Sequence, residues 1–364
     1  MLFELFACLR ERFELHTNQI FCMASTLNSP VLFLLCSLHS DVAPHKPPRH
    51  KRGHPPPSKL CESCQVVFDK TKQRYNQTWR KQEENLKKIR SELKKKCNAF
   101  DKAIITQANT PVGSRIVYEG VQSNSVRVTE KMFRTFVKKQ PFKKKLQKTC
   151  AIVGNGGILN ESGCGKMINS AQFVIRCNLP PLGDDFEEDV GNKTDFVTAN
   201  PSIFVDRYDS LLNLRRPFVE SLRRYGNSLM LLSPFSFPFS TPVCMRAIYS
   251  IEDFEIPVKP ILLNSKYLQN LLIFWKSKGL QEARLTTGLL MVSLALELCD
   301  NVHLYGFWPF SNHPHKPYGT SHHYYDDRKP SRLHTMPAEF DLLLKMHSQG
   351  ILRLHLGDCK PGLQ

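Results

Sequence analysis

The stretch that decides the fold is Cys150-Ala-Ile-Val-Gly-Asn-Gly-Gly-Ile-Leu159. It is a short apolar run that ends in a cluster of glycines, a pattern typical of a buried strand followed by a tight turn. Glycines at such a turn let the main chain approach a phosphate or a ribose closely. Asn155, at the tip of the turn, adds a hydrogen-bond donor and an acceptor. We therefore predict a strand whose carboxyl end forms part of a binding site.

A second apolar run, Phe173-Val-Ile-Arg-Cys-Asn178, also closes on an asparagine. In open α/β sheets, nucleotides usually bind in the crevice at the carboxyl ends of the strands, and we expect Asn155 and Asn178 at that crevice. Further along the chain, strand-like runs alternate with amphipathic helical runs such as 266–278. This alternation favours a mostly parallel sheet flanked by helices.

The glycine pattern alone does not identify the ligand. A dinucleotide-binding fingerprint has a third glycine three residues after the second, where this chain has Leu159. It also has an acidic residue at the end of the next strand, which this sequence lacks. A dinucleotide-dependent oxidoreductase is therefore a disfavoured alternative.

Four segments together resemble the animal sialyltransferases, and their α-2,8-sialyltransferase branch in particular. The stretch from Cys150 to Ile203, which contains Arg176-Cys-Asn-Leu-Pro-Pro181, is similar to the large sialyl motif. The other three segments resemble the small, third and very small motifs: Arg284-Leu-Thr-Thr-Gly-Leu289 with Tyr305-Gly-Phe-Trp-Pro-Phe310, His323-Tyr-Tyr-Asp326, and His334-Thr-Met-Pro-Ala-Glu339. The resemblance extends from about Asn109 to Cys359.

This resemblance implies an α/β fold with a single GT-A-like, variant Rossmann-type domain, in which helices flank a mostly parallel central sheet. It implies transfer of sialic acid from CMP-sialic acid to the 8-hydroxyl of a terminal sialic acid on a glycolipid or glycoprotein, with inversion. His334 corresponds to the family's catalytic base, and Glu339 would serve structure or orientation. The donor-binding positions implied by the motifs are Asn155, Asn178, Thr286, Thr287, Gly288, Trp308, His322 and His323.

The chemistry of the donor suits these residue types. CMP leaves as an anion of low pKa, so it needs positioning and charge neutralisation, for which His323 and the Thr286–Gly288 turn are suited. The acceptor hydroxyl needs a base, and histidine titrates in the right range. The sequence has no Asp-x-Asp motif, with which metal-dependent sugar transferases hold a diphosphate. We therefore predict neither a metal site nor a cofactor.

Several of these residues also have ordinary structural explanations. Thr-Thr-Gly commonly starts a helix through a threonine cap, Trp308 suits an apolar core, and a histidine before a helix is often a cap or a surface residue. Within the family, a galactose or N-acetylgalactosamine acceptor is the alternative. The net charge of +17 and the pI of 9.4 also leave open a non-catalytic polyanion-binding protein.

Nucleic acid is not a predicted partner, because no zinc-finger, helix-turn-helix or RNA-binding pattern accompanies the positive charge. The basic run from Lys138 to Lys148 is explained either as a solvated edge or as a polyanion-binding surface. The segment from Ser233 to Pro242, rich in Phe, Pro and Ser, is predicted to be an irregular loop beside the site that touches the acceptor.

Cysteine content and sequons fit a secretory protein. Twelve cysteines favour an oxidising compartment, and the resemblance implies the pairs Cys150–Cys299 and Cys164–Cys359. Asn-x-Ser/Thr sequons that glycosylation could use occur at Asn76, Asn160 and Asn192. The resemblance implies that the catalytic domain lies in the Golgi lumen and that a type II membrane anchor holds the protein there. Self-association into a homo-oligomer is left open.

Three regions are predicted. Residues 1–60 have no clear structure: their longest apolar run, Pro30–Leu38, is shorter than the ~20 residues that span a bilayer, and residues 44–57 resemble a disordered linker. Residues 61–107 form a basic stem, which we predict to be one long solvated helix over 62–100 with a thin apolar stripe, in which Cys61, Cys64 and Cys97 are available for cross-links. Residues 108–364 form the catalytic domain.

Overall fold

A mostly parallel sheet forms the centre of the molecule. The computed structural model describes residues 54–142, 145–326 and 336–359. Within these ranges eight strands form one sheet and two form a separate hairpin, β2–β3. The strands are β1 Ile104–Ile105, β2 Arg115–Val117, β3 Ser125–Arg127, β4 Cys150–Val153, β5 Phe173–Arg176, β6 Phe196–Ala199, β7 Leu229–Leu232, β8 Lys259–Leu263, β9 Val302–Tyr305 and β10 Arg353–His355.

Helices cover both faces of this sheet. Those in the described ranges are α1 Glu62–Tyr75, α2 Glu83–Lys96, α3 Ala99–Lys102, α4 Glu130–Arg134, α5 Gly165–Ser170, α6 Glu187–Val190, α7 Pro201–Tyr208, α8 Arg215–Leu222, α9 Ser240–Asp253, α10 Ser265–Ser277, α11 Thr287–Leu298 and α12 Met336–Ser348. Because α9 begins at Ser240, the irregular loop after β7 is shorter than the sequence predicted.

The strand order places a topological switch point at β4. The sheet runs β1-β8-β7-β6-β5-β4-β9-β10, and every neighbouring pair except β1 with β8 is parallel. Val153, the last residue of β4, lies opposite Arg176 of β5 on one side and Tyr305 of β9 on the other. Ligands of open α/β sheets bind at such a reversal of strand order. The predicted α/β class with a mostly parallel sheet is confirmed.

Alternation along β4 divides the core into two layers. Cys150 and Ile152 belong to one apolar cluster, and Ala151 and Val153 belong to the other, because successive strand residues face opposite sides of a sheet. Helix α11 lies entirely in the first layer, with every residue from Leu289 to Leu298 buried. A helix that is apolar on all sides is stable only in such an interior position.

The basic segment before the sheet differs from the predicted stem. It forms two helices, α1 and α2, separated at residues 76–82, rather than one long helix. Leu86, Ile89 and Leu93 are 0%, 9% and 0% exposed and pack against α10 and α11. The three apolar residues repeat at helical spacing, so they bury one face while the lysines stay in solvent. Ile104 and Ile105, which the prediction placed in the stem, belong to the sheet as β1.

Among the residues that the structure describes, three disulfides close loops around this core. Cys150 bonds to Cys299 and Cys164 bonds to Cys359, as the resemblance implies, across sequence separations of 149 and 195 residues. Chain-entropy estimates give about 4–5 kcal/mol for loops of this length. A third disulfide joins Cys61 to Cys64 at the start of α1, whereas Cys97, Cys177 and Cys244 are free and buried. No helix in the described part of the chain is both long and apolar enough to span a membrane.

Candidate active site

Three neighbouring strands end in asparagine-bearing turns at one edge of the sheet. Asn155 follows β4, Asn178 follows β5 and Asn200 follows β6. Because these strands are parallel, their carboxyl ends share the edge where ligands bind in this architecture. Asn155 and Asn178 are predicted site residues, whereas Asn200 is not.

Asn155 is held in place and carries an unused acceptor. Its side-chain NH2 donates to the Cys177 carbonyl at 2.9 Å, and its own carbonyl accepts from the Tyr324 N–H at 2.8 Å. Its Oδ1 is buried and has no hydrogen-bond partner among the residues that the structure describes. A buried acceptor without a partner costs free energy, so this oxygen is suited to a ligand's N–H or O–H.

Asn178 adopts a left-handed conformation at the end of β5, with φ of 62°. Asparagine tolerates this region better than most residues do. Its N–H donates to the Thr198 Oγ1 at 2.9 Å, and the same hydroxyl lies 3.3 Å from its Oδ1. Thr198 of β6 therefore fixes the direction in which Asn178 leaves the strand.

The glycines after β4 serve a contact within the chain. A Cβ built on Gly154 or Gly156 would lie 2.8 or 2.6 Å from the Gly306 carbonyl oxygen, to which the Gly156 N–H donates at 3.0 Å. Gly306 itself has φ of +73°. The glycines thus let the turns after β4 and β9 touch, and their predicted close approach to a ligand stays a prediction.

The Thr286–Gly288 turn starts α11. Thr286 caps the helix, its Oγ1 accepting from the Leu289 N–H at 3.1 Å. The Thr287 hydroxyl accepts from the Asn200 Nδ2 at 3.1 Å, which ties the turn to the end of β6. The N–H groups and the dipole at a helix N-terminus favour an anion. The capping alternative is therefore observed at Thr286, and the anion-binding role of the turn stays a prediction.

Glu339 of α12 locks this turn from the other side. Its Oε1 accepts from the Thr286 N–H at 2.8 Å, and its Oε2 accepts from the Thr286 hydroxyl. Burial, which leaves the residue 4% exposed, raises the pKa of the carboxyl to about 7. Glu339 thus orients the turn, in line with the sequence interpretation, and holds α12 against α11.

His323 lies on a loop that covers the β4 turn. The Gly157 N–H donates to the Ser321 carbonyl at 3.2 Å, and the Tyr324–Asn155 bond described above holds the other side. The His323 Nδ1 lies 2.8 Å from the Asp326 Oδ1, and its ring stacks on Tyr325 with centroids 5.1 Å apart. A carboxylate on Nδ1 fixes the ring orientation and leaves Nε2 for a ligand. His322 lies beside it, with ring centroids 4.2 Å apart.

Trp308 lies in an aromatic cluster rather than on an open surface. It is 7% exposed and meets Phe340 and Phe68 edge-on at centroid distances of 5.6 and 5.8 Å. Its indole N–H donates to the Asn312 carbonyl at 2.7 Å. This placement fits the core-aromatic alternative that the sequence left open.

His334, the predicted base, lies outside the described residues. Its sequence neighbour Met336 begins α12, whose Glu339 reaches the start of α11.

One buried cation was not found by sequence reasoning. Arg176 is 0% exposed, and its guanidinium donates to the Lys193 carbonyl and the Thr194 hydroxyl at 2.9–3.1 Å. It thereby fixes the segment before β6 against the end of β5. The signal in the sequence that could have pointed to Arg176 is its place at the start of the segment Arg176–Pro181, which resembles part of the large sialyl motif.

The predicted sequons differ in accessibility: Asn76 and Asn192 are exposed, and Asn160 is half-buried. No three His, Cys, Asp or Glu side chains lie close enough together to hold a metal ion in the part of the chain that is described.

Comparisons with known proteins agree on one family. The model of glycosyltransferase family 29 (sialyltransferase) matches residues 104–351. The α-2,8-sialyltransferase 8E of Rattus norvegicus is 45% identical over 272 residues, which is 74% of this chain and 72% of that protein. The human 8E protein is 43% identical over 294 residues, covering 80% of this chain and 78% of its own.

A third relative and a solved structure extend the comparison. The Xenopus tropicalis alpha-N-acetylneuraminide alpha-2,8-sialyltransferase is 42% identical over 79% of this chain and 83% of its own. The crystal structure of a mammalian sialyltransferase aligns with 85% of this chain and 92% of its own, at 22% identity and a TM-score of 0.43. The family model and these sequence relatives show that the chain belongs to glycosyltransferase family 29, the sialyltransferases.

Proposed function

We propose that this sialyltransferase joins sialic acid from CMP-sialic acid to the 8-hydroxyl of a terminal sialic acid on a glycolipid or glycoprotein. The relatives described above are α-2,8-sialyltransferases, which supports this acceptor. The observation that carries the site is the convergence of three separate segments. The 321–326 loop bonds to the β4 turn through Asn155, and the α11 N-terminus is tied to the end of β6 through Asn200 and to α12 through Glu339. The Phe307 ring lies between these two groups, because a Cβ built on Gly154 or on Gly288 would lie 3.3 or 2.9 Å from it.

The donor would lie across this edge. The unpaired Oδ1 of Asn155 would accept from the cytidine amine or a ribose hydroxyl, and Asn178 would hold the same nucleoside from the end of β5. The phosphate would bind at the Thr286–Gly288 turn through the N–H groups of Thr287 and Gly288 at the start of α11, since the N–H and the hydroxyl of Thr286 already donate to Glu339. Trp308 would support this site from the aromatic cluster in the core. His322 would pack beside His323.

In the transfer step, the acceptor oxygen attacks the anomeric carbon of the donor as the bond from that carbon to the CMP phosphate oxygen breaks. The electron pair leaves with CMP, and the configuration inverts. We propose that His334 takes the proton from the acceptor hydroxyl. His323, whose Nδ1 is held by Asp326, would stabilise the departing phosphate through Nε2. This scheme uses no metal and no cofactor.

The protein would act in the Golgi lumen, anchored in the Golgi membrane. Its partners would be sialylated glycans and, if it self-associates, a second copy of the chain. Nucleic acid would have no role. The disulfides at Cys150 and Cys164 support an oxidising compartment.

The test is a transfer assay with labelled CMP-sialic acid and a panel of sialylated gangliosides, O-glycans and N-glycans, followed by determination of the product linkage. We expect an α-2,8 linkage. Labelling of galactose or N-acetylgalactosamine instead would contradict the proposed acceptor.

The base is tested with His334→Ala. The variant should lose transfer by at least about a hundredfold, because general base catalysis typically contributes that much, while its affinity for CMP stays within about twofold of the wild type. Unchanged transfer would exclude His334 as the base, and equal loss of transfer and CMP binding would assign it to donor binding.

A further inference from the structure

A pair of stacked aromatic residues, the half-buried Phe237 and the exposed Phe239, lies on the loop after β7. The rings of Phe237 and Phe239 are nearly parallel, with centroids 5.6 Å apart and an interplanar angle of 12°. Phe239 is 56% exposed and is the one aromatic residue among the exposed large hydrophobic side chains of the described ranges. Exposed apolar surface has an unfavourable hydration free energy, and such patches often mark binding sites. We call this pair the aromatic shelf.

The shelf is built into the fold rather than left as a loose loop. The Gly120 N–H donates to the Ser236 carbonyl at 2.9 Å, and a Cβ on Gly120 would lie 2.1 Å from a Phe237 ring carbon. Only glycine at position 120 lets the main chain lie directly on the ring. A surface held in this way is preformed, so a ligand that binds it loses little free energy in ordering the loop.

Arg284 connects the shelf to the candidate active site. Its guanidinium lies over the Phe237 ring, 4.7 Å from the centroid. It also makes a bidentate ion pair with Glu119, in which Nε and Nη2 donate to the two carboxylate oxygens at 3.0 and 2.8 Å. Arg284 precedes the α11 cap, Thr286, by two residues. Because its charge is already matched by Glu119, the guanidinium serves chiefly to fix the ring beside the anion-binding turn.

The position of the shelf assigns it to the acceptor side. The nucleoside of the proposed donor lies at the ends of β4 and β5, whereas the shelf follows β7, two strands further along the same edge. The α11 N-terminus lies between them, since Thr287 contacts Asn200 at the end of β6.

We propose that the aromatic shelf binds the hexose that carries the terminal sialic acid of the acceptor. Aromatic rings stack on the C–H face of a pyranose, and a hexose has such a face without the charge of sialic acid. The inference rests on the proposed function, because it assumes an acceptor that ends in sialic acid.

The test compares two acceptors, sialyllactose and the methyl glycoside of sialic acid, which lacks the hexose. Phe239→Ala should raise KM for sialyllactose roughly three- to tenfold, the size expected from loss of one aromatic stacking contact, and should shrink the preference of the wild type for sialyllactose over the methyl glycoside. Phe239→Trp should restore that preference. Ile273→Ala removes a side chain that is 65% exposed on α10 and serves as the matched control.

A binding experiment separates this inference from the proposed function. In saturation-transfer NMR with sialyllactose, the hexose ring protons should receive saturation from the wild type and clearly less from Phe239→Ala. Absence of hexose saturation, or a KM change that is equal for both acceptors, overturns the aromatic shelf as a hexose site. Hexose saturation without α-2,8 product overturns the proposed acceptor chemistry and leaves the shelf supported.

Discussion

At the scale of single residues, two buried oxygen atoms explain much of the site and part of the stability. The Oδ1 of Asn155 lacks a partner at the edge where the donor would bind, and the Oε1 of Glu297 lacks one inside the α11 layer, in both cases among the described residues. An unpaired buried acceptor has an unfavourable free energy. The first position therefore points to a ligand, and the second points to a group whose charge the fold disfavours.

Asn155→Ala should weaken CMP binding by about fivefold, because one hydrogen bond to a ligand contributes roughly 1 kcal/mol. Isothermal titration with CMP measures this. Asn213→Ala, which removes an exposed asparagine from the surface, is the matched control and should bind CMP like the wild type. Equal affinities of Asn155→Ala and the wild type would remove Asn155 from the donor site.

Glu297→Gln should stabilise the protein above neutral pH. Burial raises the pKa of Glu297 to about 7, above its value in the unfolded chain. The stability linked to its protonated form is therefore complete at low pH and is lost as the pH rises through about 7. The free energy of unfolding of the variant should exceed that of the wild type by on the order of 2 kcal/mol at pH 8. The difference should be smaller at pH 5.5.

Urea unfolding at the two pH values measures this difference. Glu252→Gln, at an exposed position in α9, should leave the pH profile unchanged. A Glu297→Gln profile parallel to that of the wild type would contradict the linkage. Glu339, whose pKa is also raised to about 7, is present in both proteins. Part of the pH dependence of the free energy of unfolding therefore remains in the variant.

At the scale of helices and strands, α2 is where the sequence interpretation and the structure differ most. Leu93→Ala should lower the free energy of unfolding by about 2–4 kcal/mol, as is usual for a fully buried leucine, since Leu93 is 0% exposed. Lys95→Ala, on the solvent face of the same helix, should change it by less than about 0.5 kcal/mol. Chemical denaturation measures both, and equal effects would restore the solvated stem.

Strands were easier to predict than helix packing. The apolar runs of β4 and β5, each closing on an asparagine, are local patterns, so the sequence predicts that Asn155 and Asn178 follow strands. The Thr286 cap is equally local. The contact of Gly156 with Gly306 and that of Glu339 with Thr286 join residues far apart in sequence, and no local pattern specifies such partners.

The stem was misjudged for a related reason. Three apolar residues among many lysines give a weak periodic signal, and whether such a stripe meets a partner depends on the rest of the fold. The partner, the face of α11, lies about 200 residues away, as the bond from Arg90 to the Leu296 carbonyl shows with its separation of 206 residues.

At the scale of the whole molecule, positive charge is matched to the proposed substrates. The net charge of +17 would lower the repulsion between an anionic donor and a sialylated acceptor. KM for sialyllactose should therefore rise several-fold between 0.05 and 0.3 M NaCl, as exposed charges become screened, while kcat changes little. An acceptor KM that is independent of salt would exclude a contribution of the basic surface to acceptor binding.

The most direct test of the account is a crystal structure with CMP bound. We predict density for the nucleotide between the turn after β4 and the N-terminus of α11, with its phosphate at the Thr286–Gly288 turn, the nucleoside within hydrogen-bond distance of the Asn155 Oδ1, and His334 facing the open side of the phosphate. Density for CMP elsewhere on the molecule, or His334 remote from the phosphate, would contradict the account.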